Sequence, residues 1–263
     1  IVENEEDVEA WEYFEEMLAK LDSASILDEI SNYFTSYGDE DWSDSGHHSM
    51  SWATEEIMKS LTIDLKEAFS LWISDVDDSI NIESSNKLLS INKNSKFLSF
   101  NYTTTLLSYD VPFNKINFIH GGIISEKYEI IIGHGRDPKS IYSLNKNVDT
   151  DNIDPRLYEV NIIIDEYFSE NFKNTAEIIN LNSDFFLELK DIEKIYVLGH
   201  SLANVDRLYF KEILKNTKKS VKWCISFYQQ EDIDSLKNAT ELIGINKDKI
   251  SFFELHNLTF NND

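Results

Sequence analysis

The sequence predicts an α/β protein: a mostly parallel, Rossmann-like sheet with crossover helices, preceded by a helical region. Three observations carry this. Beyond residue 95 the apolar residues fall in short continuous runs, as in strands covered on both faces. Helical patterns separate several of these runs, as crossovers between parallel strands require. Before residue 90 the apolar residues instead recur at helical spacing. The division expected is a helical region over 1–90 packed on an α/β core over 91–263, together one compact unit.

In chain order, "DVEAWEYFEEMLAKL" (7–21) places Val8, Trp11, Phe14, Leu18 and Leu21 on one helical stripe. "ILDEISNYF" (26–34) continues that helix or begins a second. "YGDEDWSDSGHHS" (37–49) is a loop by its turn residues, and His47 and His48 within it carry no specific expectation. Residues 51–80 form a long amphipathic helix with Ile57, Leu61, Leu65, Phe69, Trp72 and Val76 on its apolar stripe. Trp11, Trp42, Trp52 and Trp72 are most economically core packing. Six strand-like runs follow: 96–102, 116–121, 128–135, 194–201, 221–228 and 250–255. The second and third lie too close together for a crossover helix, so a hairpin or local irregularity joins them. Helices are expected over roughly 156–190, 204–216 and 230–244.

The charge narrows the function. With 48 acidic against 24 basic side chains the net charge is -24, which repels phosphate backbones and excludes a general nucleic-acid binder; only a local basic site would remain. No apolar run is long enough to span a membrane and no signal-peptide pattern is present, so a soluble cytoplasmic protein is expected. The single cysteine, Cys224, fits a reducing compartment. The chain starts at Ile1 without an initiator methionine, as a processed or trimmed product would.

The polar residues gather at the carboxyl ends of the predicted strands. "FLSF" runs into Asn101, Tyr102 and Thr103; "INFI" into His120 and Gly121; "EIII" into Gly133, His134 and Gly135; "IYVL" into Gly199, His200 and Ser201, with Asp206 in the next helix's first turn. Ligands of open α/β sheets bind beyond the strand carboxyl ends, so neighbouring parallel strands would bring these groups to one rim. The glycines would then permit sharp turns or close backbone approach. Ordinary roles stand beside this: a histidine after a strand as turn polarity, Gly121–Gly122 as a hairpin turn, Asn101 as a helix cap, Asp206 as a first-turn acid.

"FLSFNYTTTLL", "INFIHG", "IIIGHGRD" and "VLGHSLANVDRLYF", in that order, resemble the AbiH family of bacteriophage abortive-infection proteins, as do "WEYFEEML", "DW" at 41–42 and "FSLWI". That family is distantly similar to sirtuin-like (SIR2-type) domains, which bind NAD on a Rossmann-like sheet. The resemblance implies that His120 is a catalytic base and Asn101 its catalytic companion. It further implies that Tyr102, Gly121, His134, Gly199, His200, Ser201 and Asp206 line the cofactor site. Two features depart from the pattern. Thr103 stands where the wider group often has Asp, and no glycine precedes Gly38 to form a phosphate-holding loop.

The leading expectation is therefore a phage-defence effector with NAD as substrate, resembling an NAD glycohydrolase. His120 would act as base, because imidazole titrates near neutral pH. One alternative is a metal-dependent phosphoester hydrolase using His120, His134 and His200 with Asp137 or Asp206, although the spacings match no standard zinc motif. Another is a non-enzymatic module that recognises a phage protein. A phage-protein trigger or companion defence protein, and a homo-oligomer, are the expected partners.

Overall fold

The computed structural model describes residues 14–34, 48–80, 92–123, 129–149 and 151–255. Trp11, Trp42 and His47 lie outside these residues, as do the first turns of the helix expected from residue 7. Among the described residues, 14–18 are helical, and the helices bounded at both ends are α1 (Ser23–Ser31), α2 (Ser49–Lys59), α3 (Leu65–Ser79), α4 (Thr105–Ser108), α5 (Pro155–Glu170), α6 (Thr175–Leu181), α7 (Ser183–Leu187), α8 (Arg207–Asn216) and α9 (Asp232–Ile243). The strands are β1 (Phe97–Ser99), β2 (Ile116–Phe118), β3 (Lys194–Val197), β4 (Lys222–Phe227) and β5 (Ile250–Glu254). Among the described residues every strand pairing is parallel, so the fold is α/β as expected. None of the described helices is long and apolar enough to cross a membrane. Two compact units divide the chain: residues 1–72 with 131–173, and residues 73–130 with 174–263.

The first unit is built on helices. Asp22 starts α1 by accepting the Ser25 N–H at 3.1 Å and the Ser25 hydroxyl at 2.7 Å, bonds that hold its carboxyl below the usual range. Asp154 caps α5 through the Arg156 N–H, with Pro155 at the first helical position. Ile26 and Ile30 of α1, Met50 and Met58 of α2, and Val160, Ile164 and Tyr167 of α5 form one buried cluster. The Tyr167 hydroxyl donates to the Leu18 carbonyl at 3.0 Å, and burial raises its pKa.

A π turn at Ser60–Asp64 separates α2 from α3 and shifts the buried stripe. Phe69 and Ile73 are buried where the simple period would also enclose Trp72, which is 49% exposed. Thr54 and Thr62 occupy buried positions because each hydroxyl donates back to a carbonyl one turn earlier, Met50 and Met58. A purely apolar stripe does not anticipate them.

Five of the six predicted strand runs contain a strand; 128–135 does not. The described residues there make only one isolated parallel bridge, between His134 and Phe172. The His134 N–H donates to the Asn171 carbonyl at 2.8 Å, and the Lys173 N–H to the His134 carbonyl at 2.9 Å. The cause of the glycine before it is steric. A Cβ on Gly133 would sit 2.2 Å from the Asn171 carbonyl oxygen.

In the second unit β1 pairs with β2, from Phe97 opposite Ile116 to Ser99 opposite Phe118. A three-stranded sheet runs in the order β3-β4-β5. Helices α8 and α9 make its two crossovers and pack against each other. Right-handed crossovers in this order place both helices on one face. Trp223 and Ile225 of β4 share a face and are buried completely or nearly so. Gly244, at φ 97°, ends α9 in the left-handed conformation. Asp77 secures the turn after β1, accepting the Thr104 N–H at 2.7 Å and the Thr104 hydroxyl at 2.6 Å.

Replacing Gly133 by Ala should destabilise the protein by about 2 kcal/mol or more, because a Cβ there meets fixed backbone rather than a movable side chain. Urea unfolding checks this. An unchanged midpoint would mean that the 133–171 approach is looser than described.

Candidate functional site

Two strand ends of the second unit supply one cluster. His120 follows β2 by two residues, His200 follows β3 by three, and Asp206 ends the short 3-10 turn that leads into α8. His120 Nε2 lies 3.4 Å from one Asp206 oxygen, and His200 Nε2 lies 3.5 Å from the other. One carboxylate therefore sits between two imidazoles. Its side chain is 11% exposed, against 4% for His120 and 14% for His200. A carboxylate this buried is costly without such neighbours.

Backbone conformation sets each ring. The Ile119 N–H donates to the Ser99 carbonyl at 3.1 Å, tying the end of β2 to β1. Gly121 has φ 75° and donates its N–H to the Phe118 carbonyl at 3.0 Å, closing the turn that carries His120. Gly199 has φ 60° and donates its N–H to the Ser226 hydroxyl of β4 at 2.8 Å. Leu202, at φ 59°, is a non-glycine residue in the left-handed region, a conformation worth about 1 kcal/mol of strain. It is 1% exposed, so packing over-determines the strained backbone. Its N–H donates to His200 Nδ1 at 2.8 Å. A neutral imidazole accepting at Nδ1 carries its proton on Nε2, so the His200 N–H faces Asp206.

Aromatic rings wall the cluster. The Phe100 centroid lies 5.4 Å from His120 and 4.4 Å from His200, edge to face in both cases. Tyr209 lies 5.4 Å from His120 and Phe210 lies 5.0 Å from His200, both from α8. Tyr102 is buried 6.2 Å from His120. Asn101 and Ser201 are exposed neighbours of these residues in sequence. Asn101 does not cap α4, whose first turn is held by Asp77 instead. Phe100, Tyr209, Phe210, Leu202 and Ser226 were not singled out from sequence. An aromatic in a mixed apolar run carries no local mark of what it faces, and Leu202 gives no sign of its positive φ.

His134 has other surroundings, in the first unit. It is wholly buried, 6.0 Å from the Phe168 ring and 6.1 Å from Phe172. Burial lowers its pKa below 6.5, with the backbone at Phe168 and Arg136 opposing the shift. Asp137 accepts the Lys139 N–H at 2.9 Å and caps a 3-10 turn. Among the described residues no group of three or more His, Cys, Asp or Glu side chains is arranged to hold a metal ion.

These features define an α/β protein with parallel strands and a carboxylate-bridged histidine pair beyond their carboxyl ends. A family model described as "Bacteriophage abortive infection AbiH" matches residues 1–227, and the chain belongs to that family. No curated protein and no solved structure matches it.

Because the folded His134 resists protonation while the unfolded chain does not, stability should fall as pH drops below 6.5 towards the folded pKa. Above that range the residue is neutral in both states and contributes no slope. His134→Leu should flatten this part of a stability-against-pH curve measured by urea unfolding; an unaltered slope would contradict the assigned cause.

Proposed function

We propose that this member of the AbiH family is an abortive-infection effector that hydrolyses NAD at the bond between nicotinamide and ribose. The observation that carries the reading is the Asp206 carboxylate held between His120 and His200 beyond the ends of parallel strands. The likeness of Asn101, His120, Gly199 and Ser201 to the sirtuin-like pattern directs it to NAD.

In this reading His120 takes a proton from water as the water oxygen bonds to ribose C1′. The electron pair of the broken C–N bond leaves with nicotinamide, which departs neutral. Asp206 steadies the imidazolium that forms, and the His200 N–H keeps the carboxylate oriented. Asn101 orients the ribose or the attacking water. Tyr102, Gly121, Gly199 and Ser201 shape the rim. An acidic chain must offset the pyrophosphate locally, and Arg207 is placed beside Asp206, with Nη1 donating to Asn204 Oδ1 at 2.9 Å. NAD depletion would then arrest the infected cell, on release by a phage protein or a companion defence protein. A homo-oligomeric, cytoplasmic form belongs to the same proposal.

The burial of His120 favours a second reading, in which the cluster pins two strand ends together and the protein binds a phage component without catalysis. One experiment separates them. The full chain incubated with NAD should release nicotinamide and ADP-ribose, and His120→Ala should cut the rate by about 100-fold or more while leaving the chain folded. Absence of nicotinamide, or a rate indifferent to the substitution, overturns the NAD reading; capture of a phage protein from infected cells by the same inactive chain establishes the second.

A further inference from the structure

In the first unit, the side of α2 and α3 that turns away from the buried cluster has a pattern of its own. Trp52, Glu56, Lys59, Ile63, Glu67 and Leu71 follow one another at intervals of three or four residues along α2, the π turn and the start of α3. The wider π turn takes up an extra residue, so Ile63, Glu67 and Leu71 stay in line with the residues before it. All six are exposed, whereas Thr54, Met58, Thr62 and Phe69 on the opposite side are buried.

Three of the six are large and apolar, and each is more than half exposed. Single apolar residues scattered over a surface are ordinary, but these recur on one seam. Trp52 meets the His48 ring at 6.0 Å on its own helix and is still 56% exposed. Tryptophan is enriched among the residues that carry binding energy at protein interfaces. The charge between the apolar residues is negative. Lys59 is matched by Asp64 at 3.8 Å, while Glu55, Glu56 and Glu67 make no ion pair among the described residues.

We infer that this seam docks a basic amphipathic helix of another protein, about five turns long. A line of side chains at this spacing is the surface that packs along a second helix, and Trp52 to Leu71 spans about 28 Å. The partner's apolar residues lie against Trp52, Ile63 and Leu71, and its lysines or arginines against Glu56 and Glu67. A second copy of the chain does not fit. Antiparallel, with Trp52 opposite Leu71, it sets Glu56 against Glu67. Parallel, it sets each acid against itself, and the net charge of each copy is -24. The same charge repels nucleic acid and anionic membranes. The seam belongs to the first unit and the histidine cluster to the second, so the inference depends on neither reading of that cluster.

The test is fluorescence anisotropy of a labelled Leu/Lys peptide of about 18 residues, with leucines at helical spacing, titrated with the full chain. The matching Leu/Glu peptide is the control. The basic peptide should bind, the acidic one should not, and added salt should weaken the binding. Trp52→Ser with Ile63→Ser should lower the affinity about tenfold or more, and so should Glu56→Lys with Glu67→Lys. Leu181→Ser with Leu187→Ser, at exposed leucines of the second unit, should leave it unchanged. All the substituted side chains are exposed, so the fold survives each change. The inference is overturned if the basic peptide does not bind, if the acidic peptide binds equally well, or if the Leu181 and Leu187 pair matters as much as the seam. It is also overturned if sedimentation shows a dimer that Trp52→Ser dissociates, which would make a second copy the occupant.

Discussion

A carboxylate taken almost out of water organises the second unit. Asp206 cannot be buried alone, and the structure meets the cost with imidazoles from two different strand ends. Each imidazole is then fixed by backbone that only special conformations allow. Gly121 turns the chain after β2, and Gly199 and Leu202 turn it after β3. The turn that ends at Asp206 starts α8, whose Tyr209 and Phe210 close the wall around the same rings. Removing the carboxylate would leave two ring nitrogens without the group they face. The loops and the aromatic packing follow from that one constraint.

The chain's other asymmetry lies in how its sheet is covered. Crossovers of one hand in the order β3-β4-β5 commit α8 and α9 to a single face, and that face carries Ile195, Val197, Trp223 and Ile225. The opposite face carries Lys194, Lys222, Tyr196, Cys224 and Ser251, and further along the buried Ser226 and half-buried Phe253.

Much of this was legible in the sequence because period and chemistry agree there. Continuous apolar runs located β1 to β5, and the helical pattern between 204 and 216 found α8. The polar endings of those strands located His120, His200 and Asp206, though not that Asp206 would be shared. Where local pattern and tertiary packing diverge, the sequence misleads. "YEIIIGHG" has the composition of a strand and the same His-Gly ending, yet its glycine answers to the Asn171 carbonyl and its histidine to buried phenylalanine rings. The π turn at Ser60–Asp64 and the positive φ of Leu202 leave no mark in residue type. The expected helical stretch over 156–190 breaks into α5, α6 and α7, and its break at Asn174 is a capping asparagine that accepts the Glu177 N–H.

The shared carboxylate is tested most directly by nitrogen-15 NMR of the histidine rings in the intact protein. The His200 ring should appear as the Nε2–H tautomer, with Nδ1 shifted as a hydrogen-bond acceptor. Asp206→Asn should move the Nε2 resonances of His120 and His200 together, leaving His134 in place. A His200 ring protonated on Nδ1, or an Asp206 substitution that shifts one histidine and not the other, would contradict the arrangement on which the account rests.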